Sequence, residues 1–180
     1  MKRASVFIVI MAFLFAAASC GNKENKKENK SASQPTSNSW YKDATIYEVN
    51  IRQYTQEGTF KAFQEHLPRL KELGVDILWI MPIHPIEEKN RKGKLGSYYS
   101  VKDYKGINPE FGTKEDFREL VKAVHDQDMH IIIDWVANHT AWDHKWTEKH
   151  PEWYKKDSAG NMIAPYDWTD VVALNYDKPG

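Results

Sequence analysis

The chain has 180 residues, and its 25 Lys and Arg balance 25 Asp and Glu, so it carries no formal net charge. That balance gives no ground for a nucleic-acid partner. Cys20 is the only cysteine, which excludes an internal disulfide.

The chain opens on a targeting segment. Lys2 and Arg3 form a positive start, residues 6–14 an apolar core, and small residues lead to Cys20. The apolar run is short for a membrane span. The stretch "AAASC" resembles a bacterial lipobox, with Ala17 where Leu is commoner. It implies that residues 1–20 are a lipoprotein signal peptide and that Cys20 becomes the lipidated first residue. The alternative is an ordinary signal peptide with an incidental Cys. Residues 21–39 hold no large apolar side chain and predict a disordered linker. The expected location is an exported protein anchored through Cys20 to a bacterial membrane, at the outer membrane or the periplasmic face.

Folding is expected from Trp40 onward. Residues 44–51, "ATIYEVNI", are β-branched and aromatic and predict a first strand. Thr59 can cap the next helix, in which Phe60, Phe63, Leu67 and Leu70 fall at helical spacing. Pro68 should kink or restart that helix, and Gly74 close it. Residues 76–83, "DILWIMPI", read as a strand buried on both faces. A long connection follows, residues 84–112, of a length that is usually functional. Thr113 and Asp116 suit a capping box, and Phe117, Leu120, Val121 and Val124 stripe a second helix. Residues 129–136, "MHIIIDWV", predict a third buried strand. The order β-α-β-α-β implies a parallel sheet, whose working residues gather at the carboxyl ends of its strands. Residues 140–180 do not read as a further βα unit.

Asp134 ends the third apolar run and admits three readings: catalytic carboxylate, hydrogen-bond acceptor at a strand end, or metal ligand. His139, His144 and His150 form a loose series that fits no standard zinc spacing. Asn138 offers an oxygen of the kind calcium uses, but calcium takes about six to eight. Trp142, Trp146, Trp153, Tyr154, Tyr166 and Trp168 either pack a small core or line a sugar cleft, where a flat ring covers the C–H face of a pyranose.

The hexamer "DWVANH" resembles the first conserved region of the α-amylase family of glycoside hydrolases, D-x-x-x-N-H after an apolar strand. "IYEVNIRQYT", "LPRLKELGVDILWIMPIHPI", "GSYYSVKDYKGINPEFGT" and "WTDVVALNYD" resemble, in order, that family's strand 1, its helix 1 with strand 2, the following loop, and the end of its inserted B domain. The resemblance implies an α/β fold: the first three βα units of a (β/α)8 TIM barrel plus the insertion, domain B, after strand 3. Residues 40–139 would be the barrel part and 140–180 domain B. A full barrel takes about 250 residues, so an incomplete barrel is expected.

By resemblance the activity is retaining cleavage or transfer at α-glucosidic bonds of starch and maltooligosaccharides. The family's nucleophile lies in a G-x-R-x-D motif, which this sequence lacks. The nucleophile Asp and the acid/base Glu are therefore expected beyond Gly180, and the chain alone is expected to be inactive. Tyr99 would stack on the sugar, His139 donate to its hydroxyls and Asp134 hold the site's hydrogen-bond network. Asn138 matches a calcium ligand, but Ala173 stands where a second ligand, an Asp, is expected. No cofactor is required, and weak or no calcium dependence follows. Two other readings compete: a non-catalytic glucan-binding lipoprotein or decayed gene product, and a small doubly wound domain, which lacks a Gly-rich phosphate loop.

Overall fold

The computed structural model describes residues 40–177. The expected signal peptide, the expected lipidation at Cys20 and the expected linker lie outside the described residues. Three parallel strands form one sheet in the order β1 (Ile46–Val49), β2 (Ile77–Ile80) and β3 (His130–Ile133). Between β1 and β2 come a short helical turn, α1 (Ile51–Tyr54), then α2 (Phe60–Gln64) and α3 (Leu67–Glu72). Between β2 and β3 lies α4 (Lys114–His125). Chain order and strand order coincide, as expected of three successive βα units.

Each strand is shorter than its apolar run. β1 was expected to reach residue 51, yet Asn50 turns the chain into α1 through Gln53 N–H to Asn50 O at 3.1 Å. The ladder has no more partner there: Val49 pairs with Ile80, and Met81 N–H caps it on Val49 O. Pro82 brings no N–H to extend β2. The helix with Pro68 restarts as expected, with Pro68 in the first turn of α3, where its missing N–H costs nothing. At Gly74 (φ +88°) the chain leaves α3 in the left-handed region.

The helices cover one face of the sheet. Phe60, Phe63, Leu67, Leu70, Leu120 and Val124 pack on Val49, Leu78 and Ile80. The other face is open: Trp79 is 37% exposed and Ile132 47%. Among the described residues β2 is therefore not buried on both faces, because three strands of an incomplete barrel leave one apolar face uncovered. A continuous apolar run marks residues suited to two buried faces, but among the described residues only one layer packs against them. Glu48, Trp79 and Ile132 lie in one row across that open face.

Thr113 and Asp116 form the predicted capping box. The Thr113 hydroxyl accepts from Asp116 N–H at 3.1 Å, and Thr113 N–H donates to Asp116 Oδ2 at 2.8 Å. Thr113→Ala should lower stability by about 1 kcal/mol, within a range of about 0.5–2. Urea midpoints of the two proteins check this, and equal midpoints would discard the cap's role.

After β3 the chain builds a smaller unit from β4 (His139–Ala141), α5 (Lys145–Lys149) and β5 (Val171–Ala173). β4 and β5 pair antiparallel, with His139 opposite Ala173. β4 therefore straddles the boundary expected between residues 139 and 140. Ala141 N–H donates to Val101 O at 2.9 Å, which ties this unit to the long connection after β2.

Candidate functional site

The polar chemistry gathers beyond the carboxyl ends of the strands, as parallel sheets of this kind arrange it. A cleft of about 440 Å³ opens there, lined by Lys92, Ser97, Tyr99, His139, Trp168 and Asp170. The long connection supplies the first three, β4 supplies His139, and the approach to β5 supplies the last two. That volume suits a small ligand.

His139 is nearly buried, at 7% exposure. Its Nε2–H donates to Tyr99 O at 3.1 Å, and its Nδ1 accepts from Asn138 Nδ2 at 3.1 Å. Both nitrogens are thus engaged, and the bonds fix one neutral tautomer. Burial pushes the imidazole pKa below its usual value; the Tyr99 carbonyl and the Asp170 charge oppose that. The Trp168 ring meets His139 edge-on at 5.6 Å.

Tyr99 is partly buried and projects from the connection. Burial, then the Asp134 carboxylate beside its hydroxyl and the Glu48 charge, push its pKa up to about 12. Asp134 is therefore the neighbour of Tyr99 rather than a wall of the cleft. Its own N–H donates to Ile80 O at 2.8 Å and continues the β2–β3 ladder by one bond. The adjoining Tyr98 points the other way, where its hydroxyl accepts from Asn50 Nδ2 at 2.9 Å and Arg52 stacks 4.5 Å above its ring. Two consecutive tyrosines so fasten the connection to β1 on one side and furnish the cleft on the other.

Behind the cleft, Tyr104 donates to Val136 O at 2.6 Å and lies 3.1 Å from His139 O. Burial pushes this phenol pKa up as well. The tail's six rings do not all take one of the two expected roles. Tyr154 is core, with its hydroxyl 2.9 Å from Thr140 Oγ1. Trp146 and Trp153 pack edge to face at 5.4 Å. Trp142 donates to Thr169 O at 3.0 Å. Tyr166 is exposed, and Trp168 alone of the six lines the cleft.

The three tail histidines go to different places. His139 is in the cleft, His144 packs on Trp146 at 4.4 Å, and His150 stacks on Trp153 at 3.9 Å. No group of three or more His, Cys, Asp or Glu among the described residues is placed to hold a metal. Asn138 is exposed and its amide faces His139. Ala173, across the ladder from His139, brings no side-chain oxygen. Together they bring one side-chain oxygen of the about six to eight oxygens that calcium takes, so these two residues alone do not make a calcium site.

His144 is nearly buried, and burial holds its imidazole below the usual pKa; Lys145 adds to this while Asp103 and Asp143 oppose it. A histidine whose folded pKa is depressed stabilises fully above its unfolded value near 6.5, and the contribution is lost as pH falls through the folded value. Acidification below pH 6.5 should therefore destabilise the protein. His144→Asn, which leaves the cleft alone, should reduce that slope. Urea midpoints on either side of pH 6.5 measure it, and an unchanged slope would exclude His144 as a contributor.

The α-amylase catalytic-domain model matches residues 13–172. The chain is 33% identical over 169 residues to α-amylase 3 of Dictyoglomus thermophilum, covering 78% of this chain and 32% of that protein. It is 32% identical over 155 residues to an α-glucosidase of Pediococcus pentosaceus, covering 77% and 27%. In structure it resembles an α-amylase from Lactobacillus plantarum, with a TM-score of 0.73 and 46% identity over 75% of this chain and 32% of that one. The chain thus spans between about a quarter and a third of the length of these relatives. On the shared order of strands and helices and the match over most of its length, this chain belongs to the α-amylase family and forms the opening βα units of its (β/α)8 barrel.

Proposed function

We propose that the intact protein acts on α-glucosidic bonds of starch-type glucans and maltooligosaccharides with retention, and that this chain supplies the wall that seats the sugar. The supporting observation is the cleft itself, where the rings of Tyr99 and Trp168 stand beside His139, Ser97 and Asp170. A pyranose has an apolar C–H face and a rim of hydroxyls, and this mixture answers both. Tyr99 stacks on the sugar, with Asp134 holding its hydroxyl. Binding exchanges the His139 Nε2–H bond to Tyr99 O for one to a sugar hydroxyl. Retention takes two carboxyl groups about 5–5.5 Å apart, and we assign neither to this chain. The nucleophile Asp and acid/base Glu belong to sequence outside it, and the chain alone is inactive. Export and anchoring through Cys20 belong to the same proposal and rest on residues 1–20 alone.

The test is proton NMR of the first products released from maltoheptaose by the intact protein. The α-anomer should appear first. Initial release of the β-anomer, or a preference for the β-linked cellohexaose, would overturn the reading. In the same protein, added calcium should shift Tm by less than about 2 °C, since an ion that is not bound lends no stability.

A further inference from the structure

Residues 86–101 fold as a loop whose ends are tied together. Ile86 and Val101 form an antiparallel bridge, and Glu87 N–H donates to Ser100 O at 3.1 Å. The residues at its tip, 88–95, are exposed. Inside the closure lies Glu87, at 0% exposure. A carboxyl is seldom buried so fully without a cationic partner. Among the described residues no cation pairs with it, and the loop's own Arg91 and Lys92 are engaged elsewhere. Arg91 Nε donates to the Glu87 backbone carbonyl at 2.8 Å, and Lys92 Nζ pairs with Asp170 at 3.2 Å.

The carboxyl instead holds backbone. Its Oε1 accepts from Ser97 N–H at 3.3 Å, and its Oε2 has no partner among the described residues. Burial above all pushes its pKa up, and the Asp170 charge adds to this, against the Ser97 N–H. The chain wraps closely around it at Gly96. A Cβ there would stand 2.9 Å from Ile86 Cδ1 and 3.0 Å from Glu87 Oε1, and Gly96 has φ +66°. Only glycine adopts that conformation at such close approach without strain.

From this anchor the chain runs directly into the cleft. Tyr99 N–H donates to Ser97 Oγ at 3.2 Å, and Tyr99 O receives the His139 bond. Ser100 Oγ donates to Asp170 O at 3.2 Å, which joins the same segment to the approach of β5. A displacement of Ser97 therefore reaches Tyr99, His139 and Asp170 together.

We propose that Glu87, without touching substrate, is a positioning residue whose carboxyl fixes the Ser97–Tyr99 segment and so the seat of the sugar ring. The sugar in this statement rests on the glucan reading above; the fixing of the segment does not. Glu87→Gln keeps the shape and the oxygen that accepts from Ser97 N–H. Glu87→Ala leaves that N–H without an acceptor beside a void.

Two readouts on the intact protein decide the matter. Glu87→Ala should raise KM for maltoheptaose about tenfold while kcat changes less than about threefold, the signature of weakened binding rather than altered chemistry. It should also speed amide exchange across residues 96–101 about tenfold, as expected of a loosened local segment. Glu87→Gln should restore both to within about twofold, because the acceptor is retained. If Glu87→Ala does not fold, Gly96→Ala presses on the same carboxyl from outside and should move both readouts in the same direction. A Gln variant as impaired as Ala, a fall in kcat at constant KM, or unchanged exchange would each overturn the proposal. If the wild type neither binds nor cleaves glucan, the glucan reading fails, and exchange alone still decides whether Glu87 fixes the segment.

Discussion

Replacing His139 with alanine in the intact protein should lower kcat/KM on maltooligosaccharides by about 10²–10³-fold, the usual loss when one preorganised donor leaves a water-poor site. The size follows from its surroundings. His139 is buried on β4, carries its proton on Nε2, and faces the cleft beside Tyr99 and Trp168. On the glucan reading, removing it takes a donor from the sugar, and in the free protein it also leaves Tyr99 O without its partner. Asn138→Ala makes the contrast. It removes only the bond to Nδ1, a single interaction of about 1 kcal/mol, or about fivefold. Steady-state kinetics of the two variants separate the roles. A His139→Ala loss no larger than that of Asn138→Ala would remove His139 from the sugar's surroundings.

Phe60→Ala should be the most damaging change away from the cleft, lowering stability by about 3–5 kcal/mol. Phe60 is fully buried in the core between helices and sheet. Its ring meets Phe111 at 5.9 Å and Phe117 at 5.3 Å. Its N–H donates to Phe111 O at 2.9 Å, so α2 holds the far end of the long connection. The void left by the ring thus loosens α2, α4 and the end of the segment that carries Tyr99. Denaturant unfolding gives the value, and a cost under about 1 kcal/mol would mean that the site collapses to fill the space.

Much of this was legible in the sequence, for identifiable reasons. Helical spacing and local caps are short-range signals, so the restart at Pro68, the turn at Gly74 and the Thr113–Asp116 box could be read residue by residue. Strand centres were legible from apolar runs, but strand ends were not, because a ladder stops where its partner stops. The open sheet face was legible only through the resemblance, since three strands of a barrel leave one apolar face uncovered; an apolar run by itself does not reveal which layer covers it. In the cleft, Tyr99 and His139 came from a recognisable motif. Lys92, Ser97 and Asp170 did not, since their meeting depends on bridges such as Ser100 to Asp170, 70 residues apart. Glu87 was the least visible of all. In "EEKNRKGK" it reads as one more solvated charge, and only the pairing of Ile86 with Val101 encloses it.

That pairing has an evolutionary consequence. With both ends of the 86–101 loop clamped, its tip can lengthen or shorten without disturbing the sheet, and doubling a flexible loop adds only about 0.6 kcal/mol of closure entropy. Yet the tip carries Lys92, which reaches across to Asp170 at the mouth of the cleft. Insertions and deletions there would redraw the entrance while leaving the machinery behind it untouched. A lineage could change which ligands the cleft admits by editing a few exposed residues, at almost no risk to folding.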